Sequence, residues 1–262
     1  MTSAQPAALH VESAGRGRPL VLLHGWALHA GLFTPLMPAL AQRHRVLAAD
    51  LPGHGHSPPL PRWSLATVVA ALADAFGGEA EPPDVLGWSL GGLIALAWAR
   101  AHPAQVRRLV LVGATPKFVA GDDWPHAMGE TAMHRFADEL RVAYRPTLQR
   151  FLTLQVQGSA EGRATLAALR HALHARDAPD PSTLSDALAV LAETDVRSLV
   201  ASIRHPALAI AGERDTLVPP LATAWLARAL PDARLKVITG AGHAPFLSHR
   251  EAFLDAVDEF LA

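Results

Sequence analysis

Residues 84–99 read DVLGWSLGGLIALAWA. A short apolar run leads in, and Leu90 to Ala99 leads out with apolar residues at helical spacing. Between them lies Gly87-Trp88-Ser89-Leu90-Gly91, a G-x-S-x-G pattern with a strand predicted before it and a helix after it. A serine in that setting sits on a tight strand-to-helix turn that lifts its hydroxyl above the sheet. Glycine on both sides leaves room for neighbouring backbone. The helix N-terminus offers free N–H groups and a partial positive charge, which suit an oxyanion. Five residues alone could match by chance; the strand–turn–helix context makes Ser89 a candidate nucleophile.

The same alternation of elements extends in both directions. PLVLLHG (19–25), HRVLAAD (44–50), PDVLGW (83–88) and VRRLVLVGA (106–114) read as buried strands. PALAIAGERD (206–215) and ARLKVITGAGH (233–243) read the same way, each with a helix after it. SLATVVAALADAF (64–76) has helical spacing with Ser64 as its N-cap, and LGGLIALAWARAH (90–102) is a helix that stops before Pro103. Strands alternating with helices predict an α/β fold with a mostly parallel sheet flanked by helices. Residues 116–203 break the alternation with helical segments and no convincing strand. The expected organisation is a core of residues 1–115 and 204–262 and an all-helical cap of residues 116–203. Ligands of such sheets bind at the carboxyl ends of the strands, so the cap should roof the site.

Composition bounds the function. The chain has 262 residues, 50% of them apolar and 18% charged, enough for one α/β domain with an insertion. No apolar run reaches the length of a membrane span, and the N-terminus lacks the basic-then-apolar order of a secretory signal. Cysteine is absent, which excludes thiolate chemistry and fits the cytoplasm. A net charge of −1 argues against a general nucleic-acid binder. No G-x-G-x-x-G or Walker loop is present, so no nucleotide cofactor is implied. In GHGHS (53–57) two histidines two residues apart could ligate a metal, but no third ligand is evident nearby, and a glycine-rich turn explains the stretch better. No cofactor and no metal are expected, and a monomer is the expected state.

A serine hydroxyl needs a base, and the base needs a carboxylate to orient it. On this kind of sheet both should lie after later strands, in the order Ser, Asp or Glu, His. Asp215 follows LAIAGER and His243 follows LKVITGAG, each at the carboxyl end of a predicted strand. Glu213 is close enough to compete with Asp215. The oxyanion donors should be the Leu90 N–H and the Trp26 N–H, the latter on the loop after VLLHG. His24 reads as a buried histidine that shapes this loop.

LLHGW, DLPGHGHS, GWSLGG, GERDTLVP and GAGHAPF occur in the order and spacing of the α/β-hydrolase family, which the chain resembles along nearly its whole length. The resemblance assigns nucleophile, acid and base to Ser89, Asp215 and His243; serine at 89 disfavours the branches with an aspartate nucleophile. Within the family, VLLHGWAL, LGWSLGGL, DDWP, RFLTLQVQGS and HAPFLSH look like esterases that remove a methyl group from an acyl chain borne by acyl carrier protein. That likeness implies a substrate site lined by Trp26, Ser89, Leu90, Phe151, Leu152, Thr153, Leu154, Gln155 and His243. It also implies a carrier contact through cap arginines, with Arg150 and Arg163 on matching positions. Pro146 and Ala167 stand where two more arginines are expected, and Arg145 and Arg170 lie near them. Residues 135–176 carry seven arginines against three acids, a local basic surface that would attract an acidic partner, although charge runs are usually solvated helix faces. A broad short-chain carboxylesterase would share every triad feature, and a non-hydrolytic receptor could use the same fold.

Overall fold

The computed structural model describes residues 8–177 and 179–262. Seven strands form one sheet: β1 (Val11–Ala14), β2 (Arg18–Leu23), β3 (His44–Ala49), β4 (Asp84–Trp88), β5 (Leu109–Val112), β6 (Ala207–Gly212) and β7 (Ala233–Ile238). Their spatial order is β1-β3-β2-β4-β5-β6-β7, parallel throughout except β1, which runs antiparallel to β3. The central strands are continuous apolar runs because both faces are covered: every residue of β4, β5 and β6 is buried. Helices α1 (Met37–Leu40), α2 (Leu65–Phe76) and α3 (Leu90–Ala101) lie among the first five strands. Ser64 caps α2 in a reciprocal pair with Thr67, a contribution of about 1 kcal/mol.

Between β5 and β6 the described helices and strands are all helices: α4 (Glu130–Val142), α5 (Tyr144–Gln155), α6 (Gly162–His174), α7 (Pro181–Glu193) and the short α8 (Arg197–Val200). After β6 the chain adds α9 (Pro220–Ala229), and after β7 it adds α10 (Pro245–Ser248) and α11 (Arg250–Leu261). None of the described helices is long and apolar enough to cross a membrane.

The insertion is tied to the sheet at both of its margins. Where it leaves and rejoins, Lys117 bridges Asp195 and the Val196 N–H donates to the Pro116 carbonyl at 2.9 Å. Arg197 grips Asp195 and Asp123 there and lies 5.4 Å over the Trp124 ring. At the far margin Arg176 pairs with both Asp50 and Glu12, and His29 Nε2–H donates to the Ala172 carbonyl at 2.6 Å. Asp50 is fully buried and also accepts from the Ala30 and His56 N–H groups.

Candidate active site

The chain enters Ser89 from β4 with φ 55° and ψ −115°, a left-handed backbone that costs a non-glycine residue about 1–3 kcal/mol. Ser89 is held by its own N–H, which donates to the Val112 carbonyl at 2.9 Å, and by the first turn of α3, whose Gly92 and Leu93 N–H groups donate to its carbonyl. The flanking glycines are steric necessities. A Cβ on Gly87 would lie 2.3 Å from the Gly91 carbonyl oxygen, and one on Gly91 would lie 2.3 Å from that of Leu23. Strand β2, strand β4 and helix α3 therefore meet at backbone-to-backbone distance, which no side chain permits.

Asp215 and His243 come from the loops after β6 and β7. His243 Nδ1–H donates to Asp215 Oδ2 at 2.7 Å, both side chains being almost wholly buried. The other carboxylate oxygen of Asp215 accepts from the Leu217 and Val218 N–H groups at 2.9 Å each. Glu213 is committed elsewhere: its carboxylate accepts from the Gly240 N–H at 2.8 Å, bracing the loop before His243. His243 Nε2 is buried without a hydrogen-bond partner, so Ser89 and His243 are not bonded to each other in the resting geometry. Catalytic hydrogen bonds of this kind commonly tighten only when substrate binds.

Leu90 is the first residue of α3, and Trp26 follows the His24-Gly25 turn after β2. Among the described residues neither N–H donates to a protein acceptor. Only two described residues other than glycine have positive φ: Ser89, and Ala27 at 65° on the Trp26 loop. His24 fixes that loop. Its Nε2 accepts from the Leu51 N–H at 2.9 Å, so the proton sits on Nδ1 and is donated to the Gly25 carbonyl at 2.8 Å. Burial, reinforced by the neighbouring His54, pushes its pKa well below the usual 6.5, so it stays neutral.

A narrow cavity of about 10 Å³ opens beside Ser89, walled by Leu93, Gly113, Phe118, Leu191 and Val218 with Lys117 at its polar side. Among the residues expected to line a substrate site, Trp26 packs on Phe151 at 4.9 Å, edge to face, and its indole donates to the Leu184 carbonyl at 2.9 Å. The Gln155 carbonyl accepts from the His243 N–H at 3.0 Å, while its buried side-chain amide has no partner at either end. Leu152 is buried and Leu154 half-buried. Thr153 faces outward, its hydroxyl donating to the Gln149 carbonyl one turn back at 3.0 Å, and is not brought to the site. Phe118, Leu191 and Val218 escaped the sequence reading because apolar residues on loops and cap helices look alike until folded.

The four arginines expected to contact the carrier, Arg145, Arg150, Arg163 and Arg170, are all exposed. Arg150 is paired with Glu139, whereas Arg145, Arg163 and Arg170 make no ion pair among the described residues. Arg163 and Arg170, seven residues apart, share one face of α6. The two histidines of GHGHS are placed apart. His54 turns inward, and His56 meets His10 and Asp50, the third ligand not evident in sequence. Asp50 is already committed to Arg176 and two N–H donors, which makes it a poor metal ligand.

Residues 18–250 match the family model described as alpha/beta hydrolase fold, and the chain belongs to the α/β-hydrolase family. The relatives are more particular. A protein of Chromobacterium violaceum, named pimeloyl-[acyl-carrier protein] methyl ester esterase, is 46% identical over 97% of this chain and 98% of its own. One of the same name from Xanthomonas axonopodis pv. citri is 46% identical over 97% and 99%. Among solved structures, a bromoperoxidase from Bacillus anthracis superposes with a TM-score of 0.89 at 23% identity, covering 97% of this chain and 95% of that one. An esterase from Exiguobacterium antarcticum does so with 0.86 at 24% over the same shares. At those identities the structures speak for the fold alone.

Proposed function

We propose that this protein is a serine carboxylesterase that hydrolyses the methyl ester of a pimeloyl chain carried on acyl carrier protein, releasing methanol and the free carboxylate in biotin synthesis in the cytoplasm. The observation that carries the reading is the 46% identity, over 97% of the chain, to an esterase of that name. The site supports it chemically. His243 Nε2 takes the Ser89 proton as Oγ attacks the ester carbonyl, and Asp215, bonded to Nδ1, orients the ring and stabilises its charged form. The Trp26 and Leu90 N–H groups hold the oxyanion. Methanol departs with the proton from His243, and water, activated by the same histidine, hydrolyses the acyl-enzyme. Lys117 on the same cavity is already paired with Asp123 and Asp195, so the product carboxylate meets chiefly the apolar wall of Leu93, Phe118, Leu191 and Val218, which favours its release.

The carrier's acidic surface docks on the unpaired arginines of α5 and α6, and its arm delivers only the distal ester to Ser89, which spares the thioester. The deciding experiment compares kcat/KM for carrier-bound pimeloyl methyl ester with that for p-nitrophenyl butyrate, at low and high salt, with Ser89→Ala as control. Preference for the carrier-bound ester that weakens with salt supports the reading. Equal turnover of both, indifferent to salt, returns it to a broad carboxylesterase. Substantial turnover by Ser89→Ala removes the serine mechanism altogether.

A further inference from the structure

Trp88, the first variable residue of G-x-S-x-G, touches more of the site than its sequence position suggests. It is 1% exposed. Its indole N–H donates to the backbone carbonyl of His243 at 2.8 Å. Its ring faces the His243 imidazole at 5.4 Å between centroids, tilted by 45°. On another side it lies under the oxyanion loop, where a Cβ added to Gly25 would come within 2.9 Å of the indole. Phe246 closes the packing edge-on at 5.2 Å and is itself backed by Phe33 and Phe253. One rigid side chain thus contacts the base's backbone, the base's ring and the oxyanion loop, and its own backbone leads into the nucleophile.

We infer that Trp88 is the positioning residue of this active site: it pins the His243 loop through its N–H, offers a π face to the imidazolium that forms during reaction, and sets the depth of the Gly25-Trp26 loop. The inference rests on the proposed role of His243 as base. Its physical basis is that the polar contacts of the His243 ring are few. The ring has one polar anchor, Asp215, at Nδ1, and Nε2 has none. A tilt of the ring about the Asp215 bond towards the indole would meet the Trp88 side chain, which restricts where Nε2 can point. A cation over an indole is favoured electrostatically, so the same contact favours the imidazolium that forms as Ser89 attacks. The contact also explains Gly25: any side chain there must displace the indole and, through it, the base.

The test uses the full-length protein with p-nitrophenyl butyrate, which needs no carrier. Trp88→Phe keeps an aromatic face and loses the N–H. It should lower kcat about five- to tenfold with KM within about twofold, the scale of one lost hydrogen bond felt at the transition state. Trp88→Leu keeps the site dry and loses the π face as well. Its kcat should fall below that of Trp88→Phe, again with KM within about twofold, because the imidazolium of the transition state loses a favourable partner as well. A readout without substitution guards against variants that fail to fold. In the unaltered protein the Trp88 indole N–H should be strongly protected from hydrogen exchange, as its bond to the buried His243 carbonyl requires. Folded Trp88→Phe with unchanged kcat, or an indole N–H that exchanges freely, overturns the inference. His243→Ala separates the two claims, since turnover that survives it refutes the base itself.

Discussion

Acid should destabilise this protein through His54, and the size of the effect can be worked out. His54 lies on the loop after β3, fully buried. Its Nδ1–H donates to the Pro52 carbonyl at 3.1 Å, and its Nε2 is buried with no partner. The ring packs 5.3 Å from His24 and 6.3 Å from Trp63. Burial lowers its pKa from 6.5 to about 4; the Pro52 bond and the nearby Asp50 charge offset this only in part. The native state therefore refuses a proton that the unfolded chain accepts. Above 6.5 neither state is protonated and the group contributes no pH dependence. As pH falls from 6.5 towards 4, the unfolded state gains the proton alone and stability is lost. Integrating that difference gives a loss of about 2 kcal/mol by about pH 5 and about 3 kcal/mol by about pH 4. Domains of this kind hold only about 5–15 kcal/mol in all. The assay is urea unfolding of the wild type and His54→Gln at about pH 7 and about pH 5. Glutamine can still donate to Pro52 but does not titrate. The wild type should lose about 2 kcal/mol more than the variant across that interval, other titrating groups cancelling in the difference. His24, depressed chiefly by its own burial, stays neutral in both proteins. A stability gap between the two proteins that does not change with pH would refute the reasoning.

Arg176→Met leaves Asp50 and Glu12 without their shared cation; about 3–5 kcal/mol should be lost in urea unfolding, and a loss under about 1 kcal/mol would mean the cap is not latched there. Gly212→Ala places a Cβ 2.0 Å from the Gly242 carbonyl oxygen and pushes the His243 loop off β6, so kcat on p-nitrophenyl butyrate should fall at least about tenfold; unaltered kcat would show the loop can yield without moving the base. Arg163→Glu with Arg170→Glu should raise KM for the carrier-bound ester about tenfold or more at low salt and leave the free ester untouched; equal effects on both would remove the carrier surface from α6.

The sheet was legible because its strands are apolar runs bounded by glycine, and the helical insertion was legible because the alternation stops. Strand β1 was not: Val11–Ala14 is four residues of half-exposed edge, too short for a period to declare itself. The run read as a strand over 233–243 ends at Ile238, and the remainder bends into the loop that carries His243. Ser89, Asp215 and His243 could be picked out because chemistry demands those residue types after strands in that order. Trp88 could not, because a tryptophan ending a strand reads as core, and only three-dimensional contacts with His243 and Gly25 mark it as more. The cap arginines show the opposite limit. Sequence counts their charges but not their partners, and Glu139 takes Arg150 while Arg163 and Arg170 are left on one face.

The strain at the site has a common origin. Ser89 and Ala27 both adopt left-handed backbone, and they stand on the two loops whose N–H groups face the proposed oxyanion. Neither conformation is favourable in isolation, at about 1–3 kcal/mol each, so the surroundings must enforce both. At Ser89 the enforcement is the convergence of β2, β4 and α3, which Gly87 and Gly91 allow. At Ala27 it is the His24 bond to the Gly25 carbonyl on one side and the Trp26 indole bond to Leu184 of the cap on the other. The second of these means that the oxyanion loop is held partly by the cap. His243 is also held partly by the cap, through the Gln155 carbonyl. A shift of α7 therefore pulls on the oxyanion loop through the Leu184 carbonyl, and a shift of α5 pulls on the base through the Gln155 carbonyl.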